Sequence, residues 1–212
     1  MSQNKRITIT VLSLLGVIAL MVGLYAHQFM NTTKHIDTDK FQGTFLDKPR
    51  EVVAFSIAGT DNQPFDNQKL KGHWTYIFFG FTNCGYLCPT TMAELGKMYR
   101  LIENKGSEPM PEVVMISIDP EKDSLVKLGQ YVKSFDRHFL GARGDEKTVS
   151  ALSSSFGVTF EKLASKTKDA SQYDFQHSGT ILLINPQGKL QAFFTMPHQA
   201  KLLADDYLLL IS

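Results

Sequence analysis

The stretch TYIFFGFTNCGYLCPTT, residues 75–91, decides how the chain is read. Its first part, residues 75–81, is a short apolar and aromatic run, the pattern of a strand buried on both faces. From Pro89 onward, Met92, Leu95, Met98, Tyr99 and Ile102 recur at helical spacing until Gly106 ends the pattern. The segment is therefore strand, short turn, helix. The turn holds Cys84 and Cys88, the two cysteines of the whole chain. Open α/β sheets present their sites at the carboxyl ends of strands, so this turn is where chemistry is expected.

The rest of the chain extends the same alternation. Val53, Phe55 and Ile57 alternate ahead of a turn at Asp61-Asn62, which reads as a hairpin. Residues 112–119, EVVMISID, form a second buried strand. Leu125, Leu128, Val132 and Phe135 mark a second helix, with Asp123 or Ser124 as its cap. A shorter helix ends at Gly157, VTFEKL reads as a strand, residues 179–196 form a hairpin around Pro186-Gln187-Gly188, and an apolar helix closes the chain. The expected fold class is α/β: a mixed sheet with flanking helices and an N-terminal hairpin. A core of this size needs no disulfide to hold it.

The N-terminus stands apart. Lys5 and Arg6 precede twenty uncharged residues, 7–26. Twenty helical residues span about 30 Å, the thickness of a bilayer core. The basic residues on the N-terminal side orient the remainder outward. Cleavage after Ala26 would leave Leu24 at the −3 position, a poor signal-peptidase site. The expected organisation is a cytoplasmic N-terminus (1–6), a transmembrane anchor (7–26), a tether (27–50) and a domain (51–212). It places the chain in a bacterial inner membrane, with its domain in the periplasm. Lys and Arg total 22 against 21 Asp and Glu, net +1, so nothing points to nucleic acid.

Three chemistries compete for the cysteine pair. A structural disulfide closing so short a loop removes little chain entropy. A redox pair needs an activated thiol and a resolving partner, although the familiar exchange spacing is C-x-x-C and here three residues intervene. A metal site needs soft thiolates and a further ligand. Zinc and iron–sulfur sites usually take four ligands, whereas two thiolates and one imidazole suit copper. Pro89 fits the first helical position, which puts Cys88 at or near the N-cap, where the helix dipole favours the thiolate.

Of six histidines, His27, His35, His73, His138 and His198 read as solvated or packing residues. His177, in YDFQHSG (173–179), lies in an expected loop immediately before a buried strand, from which it can approach the cysteine turn. It is either a third ligand or a satisfied loop histidine. Asp119-Pro120 reads as turn chemistry, and Met196 as packing rather than a further soft contact.

At FFGFTNCGYLCPTT (78–91), SIDPEKDS (117–124) and YDFQHSG, the sequence resembles the SCO/SenC family of membrane-anchored copper proteins. The resemblance spans roughly residues 42–205. It implies a thioredoxin-like fold, copper as the bound metal, and Cys84, Cys88 and His177 as its ligands. It also implies a metallochaperone without turnover. The partners would be a copper-receiving protein such as a cytochrome c oxidase subunit, and a thiol reductant. The alternative role is a periplasmic thiol–disulfide oxidoreductase using the dithiol Cys84 and Cys88. Two positions depart from the family pattern. Gly85-Tyr86 stands where Pro-Asp usually follows the first cysteine, and Gln176 where Asp often precedes the histidine.

Overall fold

A computed structural model describes residues 12–23, 40–163 and 174–212. The chain divides into two units, Met1–Ile36 and Asp37–Ser212. In the first, residues 12–23 form a helix, α1, whose apolar side chains, Leu12, Leu20 and Met21 among them, are exposed. Among the described residues no helix is long and apolar enough to cross a membrane. Both ends of the expected span 7–26 lie outside them.

The second unit is built on strands β1 (Thr44–Arg50), β2 (Ser56–Gly59), β3 (Pro64–Asp66), β4 (Thr75–Gly80), β5 (Glu112–Ser117), β6 (Leu140–Arg143), β9 (Ile181–Ile184) and β10 (Leu190–Phe194). They form one mixed sheet in the order β1-β10-β9-β4-β5-β6-β2-β3. The β4–β5 and β5–β6 pairs are parallel, and β9 runs antiparallel to β4. A second, two-stranded sheet pairs β7 (Phe160–Leu163) with β8 (Asp174–His177). The helices are α2 (Leu87–Asn104), α3 (Leu125–Lys133), α4 (Glu146–Ser155) and α5 (Ala200–Ile211). Strand β4 is buried along its whole length, as its composition requires.

The pleat of β4 sorts its side chains between the two faces. On one, the Tyr76 hydroxyl donates to the Leu203 carbonyl of α5 and its ring meets Tyr207. Gly80, on the same face, lies under the Cys88 sulfur of α2. On the other, Phe79 meets Phe156 after α4, and Phe81 meets Phe175 of β8. Burying each such ring contributes about 1.5–3 kcal/mol.

Several elements differ from the sequence reading. Residues 44–50, inside the expected tether, are strand β1 paired with β10 at the sheet edge. An edge tolerates the charges and proline of LDKPR, which obscured it. The four-residue strand β6 is too short to show a period. Ser124 caps α3 by accepting from the Lys127 N–H, so Asp123 is left for another task.

Candidate metal centre

The cysteine turn leaves β4 at Gly80 and enters α2 at Leu87. Its N-cap residue, Tyr86, offers no side-chain acceptor. Instead the Cys88 N–H donates to the Cys84 sulfur at 3.3 Å, so Cys84 takes the capping role. The Cys84 N–H in turn donates to the Phe81 carbonyl at 3.3 Å. Both cysteines are thiols, with no disulfide between them. Cys84 is partly exposed and Cys88 fully buried.

This corrects the expected placement of Cys88. The helix begins at Leu87, making Cys88 its second residue and Pro89 its third. Proline fits there as well, because first-turn N–H groups have no intrahelical acceptor. The Cys88 thiol is not eased toward ionisation. Its hydrogen bond to Cys84 and its burial push it far above the ordinary thiol range, against a lowering backbone hydrogen bond at Phe81. An ideal Cβ on Gly80 would lie 3.0 Å from the Cys88 sulfur, a measure of how closely β4 approaches it.

Asp123 fastens the turn from below. It is fully buried, and its carboxylate accepts from the Thr82 N–H at 3.1 Å, from the Thr82 hydroxyl, and from the Ser117 hydroxyl at 2.7 Å. The Lys127 ammonium lies 3.7 Å away and also donates to the Asn83 side chain at 2.9 Å. One turn further along α3, the Tyr131 hydroxyl oxygen is buried with no hydrogen-bond partner among the described residues. Burial raises its pKa, and the neighbouring Cys88, Cys84 and Asp123 raise it further. Neither Asp123 nor Tyr131 was legible as a site residue in sequence. Each depends on where α3 crosses the cysteine turn, and the SIDPEKD motif was the one available signal. Asp119 is a turn residue as expected, its carbonyl accepting from the Asp123 N–H and its carboxylate from the Lys122 N–H.

His177 ends strand β8, opposite Phe160 of β7, rather than lying in a loop. Its side chain lies outside the described residues. Its flanks are placed on either side of it. Two residues before, the Phe175 ring sits 5.2 Å from that of Phe81, at the mouth of the cysteine turn. Two residues after, an ideal Cβ on Gly179 (φ 66) would lie 3.2 Å from Leu87, the residue before Cys88. The chain at position 177 is thus bracketed by contacts to both ends of the cysteine turn. Among the described residues no three His, Cys, Asp or Glu side chains form a metal-binding group.

The other described histidines have ordinary partners: His73 with Glu112, His138 with Asp136 and Tyr99, His198 with the Gly179 carbonyl. His27 and His35 lie outside the described residues.

The family model for SCO1/SenC matches residues 44–211. The chain belongs to the SCO1/SenC family. The SCO2-like protein of Rickettsia prowazekii is 27% identical over 188 residues, 87% of this chain and 90% of that one. The mouse mitochondrial SCO2 homologue is 30% identical over 148 residues, 69% of this chain and 57% of its own length. Among solved structures, Arabidopsis thaliana ScoI with copper bound aligns at a TM-score of 0.66 and 28% identity, covering 74% of this chain and 95% of that one. Bradyrhizobium japonicum ScoI with copper bound aligns at 0.64 and 28%, covering 74% and 96%. The SCO1/SenC fold is thioredoxin-like.

Proposed function

We propose that the protein is a copper metallochaperone which holds one copper ion through the sulfurs of Cys84 and Cys88 and the imidazole of His177. The observation that carries this reading is the bracketing of position 177 by the Phe81–Phe175 and Leu87–Gly179 contacts around a reduced cysteine pair. The donor set fits the metal. Two soft thiolates and an imidazole suit Cu(I), which accepts low coordination numbers. The copper-bound Arabidopsis and Bradyrhizobium relatives support it independently.

Copper here is cargo. Loading releases the thiol protons to solvent, so affinity rises with pH, and oxidation of the pair to a disulfide removes two ligands and frees the ion. The receiving site implied by the family resemblance is the copper centre of cytochrome c oxidase. Gly85 and Tyr86, which replace the usual Pro-Asp, are both exposed on the turn, Tyr86 by 74%. They present the receiving protein with an aromatic face instead of a carboxylate. We further propose that residues 7–26 anchor the chain in a bacterial inner membrane with its domain in the periplasm. Protease accessibility in spheroplasts tests that placement.

The deciding experiment titrates Cu(I) against a competing chelator, using the reduced full chain in detergent under anaerobic conditions. One tight equivalent, weakened at least tenfold by His177→Ala, is expected. Stoichiometric binding that ignores His177 would remove it from the ligand set. A second reading, thiol–disulfide exchange, is favoured by one feature: a partly exposed Cys84 beside a buried Cys88 is the layout of an attacking and a resolving thiol. In that reaction the Cys84 thiolate attacks a target disulfide, one target thiolate leaves, and Cys88 then displaces the other. A mixed disulfide trapped by Cys88→Ser, together with no tight copper binding, would put this reading first.

A further inference from the structure

Tyr131 is a polar group near the cysteine turn that neither role above uses. Its hydroxyl oxygen is buried and has no hydrogen-bond partner among the described residues. A buried hydroxyl left without an acceptor costs about 1–3 kcal/mol, so such groups call for an explanation. Packing accounts for the ring, which stands edge-on to Phe135 at 5.2 Å. It does not account for the oxygen, since phenylalanine would pack as well.

Position supplies the missing partner. Tyr131 follows Lys127 by one helical turn, and Lys127 touches both Asn83 and Asp123 of the cysteine-turn assembly. The same face of α3 is therefore turned toward the cysteine turn, and negative charge on Cys88 or Cys84 acts on the hydroxyl. Cys88 is fully buried. When a metal takes its sulfur, that sulfur carries negative charge where water cannot reach it. A buried anion is tolerated only with hydrogen-bond donors around it. The nearby Asp123 carboxylate makes the need greater.

We propose that Tyr131 is a positioning residue for the metal centre: its hydroxyl donates a hydrogen bond to the Cys88 sulfur once that sulfur is a metal-bound thiolate. The inference rests on the copper reading above. In the metal-free dithiol the Cys88 thiol is hydrogen-bonded with Cys84, and the Tyr131 hydroxyl has no anion to meet. Loading exchanges the sulfur-bound proton for the metal, the proton leaving to solvent, and the sulfur's freed lone-pair density becomes the acceptor. The hydroxyl is thus already buried beside the cysteine turn before the cargo arrives, and a small shift of the ring or of the sulfur on loading closes the hydrogen bond.

The test compares wild type with Tyr131→Phe in the reduced full chain. The variant keeps the ring and deletes the oxygen. Expected results are an unchanged or raised melting temperature without metal, a roughly tenfold weaker Cu(I) affinity, and a sulfur-to-Cu(II) charge-transfer band shifted to longer wavelength. That shift follows because an anionic sulfur deprived of a donor is a better electron source. Phe135→Leu, which loosens the same packing and leaves the hydroxyl, is expected to leave the band in place. If wild type binds no copper tightly, the metallochaperone reading falls and this inference with it. If wild type binds tightly and Tyr131→Phe matches it in affinity and band position, the inference alone is overturned. The same holds if the variant loses affinity only alongside a lowered metal-free melting temperature and an unmoved band.

Discussion

Replacing Asp123 by alanine should destabilise the domain far more than its place in a loop suggests. Asp123 is fully buried and gathers three hydrogen bonds, from the Thr82 N–H, the Thr82 hydroxyl and the Ser117 hydroxyl. Thr82 is half-buried, so its donors can turn to water. Ser117 is fully buried and cannot. One stranded hydroxyl and two weakened donors add up to about 2–4 kcal/mol. The Lys127 ion pair adds little, because the ammonium is partly exposed at 3.7 Å. Out of a total stability of about 5–15 kcal/mol, that is a large share. With a urea slope of about 2 kcal/mol per molar, the unfolding midpoint should fall by about 1–2 M. Asp123→Asn, which keeps the volume and one acceptor oxygen, should lose about half as much. Ser117→Ala combined with Asp123→Ala should cost less than the two singly, because no orphaned hydroxyl remains. A midpoint for Asp123→Ala within roughly 0.3 M of wild type would refute the view that this carboxylate holds the cysteine turn.

Two further outcomes are expected. Gly80→Ala would place a Cβ 2.6 Å from Phe78, 3.0 Å from the Cys88 sulfur and 3.1 Å from Met115. It should cost about 1–3 kcal/mol in urea unfolding and open Cys88 to thiol reagents, and an unchanged labelling rate would contradict it. His198 should make stability depend on pH. Burial holds its pKa below the ordinary value, against the raising pull of the Gly179 carbonyl and of Glu94. The unfolded chain therefore takes up this proton first. The contribution is complete above about pH 6.5 and is lost as pH falls through the depressed folded value. Melting temperatures at pH 7.5 and 5 should show that loss, and His198→Gln should flatten it. An equal slope in the variant would assign the effect elsewhere.

What the sequence disclosed follows from the physics of each element. Strand β4 and helix α2 were legible because a run buried on both faces and a 3.6-residue period are strong local signals. The edge strand β1 and the short β6 were not, since their pairing is decided by distant partners. Cys84 and Cys88 are conspicuous in any sequence with two cysteines, and a histidine next to a buried strand draws notice. Local rules misjudged their state. Pro89 fits the first helical position, yet α2 starts two residues earlier, which makes Cys84 the cap and Cys88 a buried donor. Asp123 and Tyr131 stayed hidden because only the tertiary placement of α3 and of the loop before it brings them to the cysteine turn.

The antiparallel register of β4 and β9, with Phe78 opposite Ile181, has a consequence for how the protein comes into being. The two strands run in opposite directions, so the turn leaving β4 and the segment entering β9 meet at one end of the sheet. In synthesis they are far apart. The ribosome finishes β4, the cysteine turn and α2 early, and parallel pairing with β5 can follow at once. Strand β9 comes only after α3, β6, α4 and the β7–β8 hairpin, and contacts of such long sequence separation form slowly. Until then the cysteine turn lacks the strand and the closing hairpin that stand on that side of β4 in the finished fold.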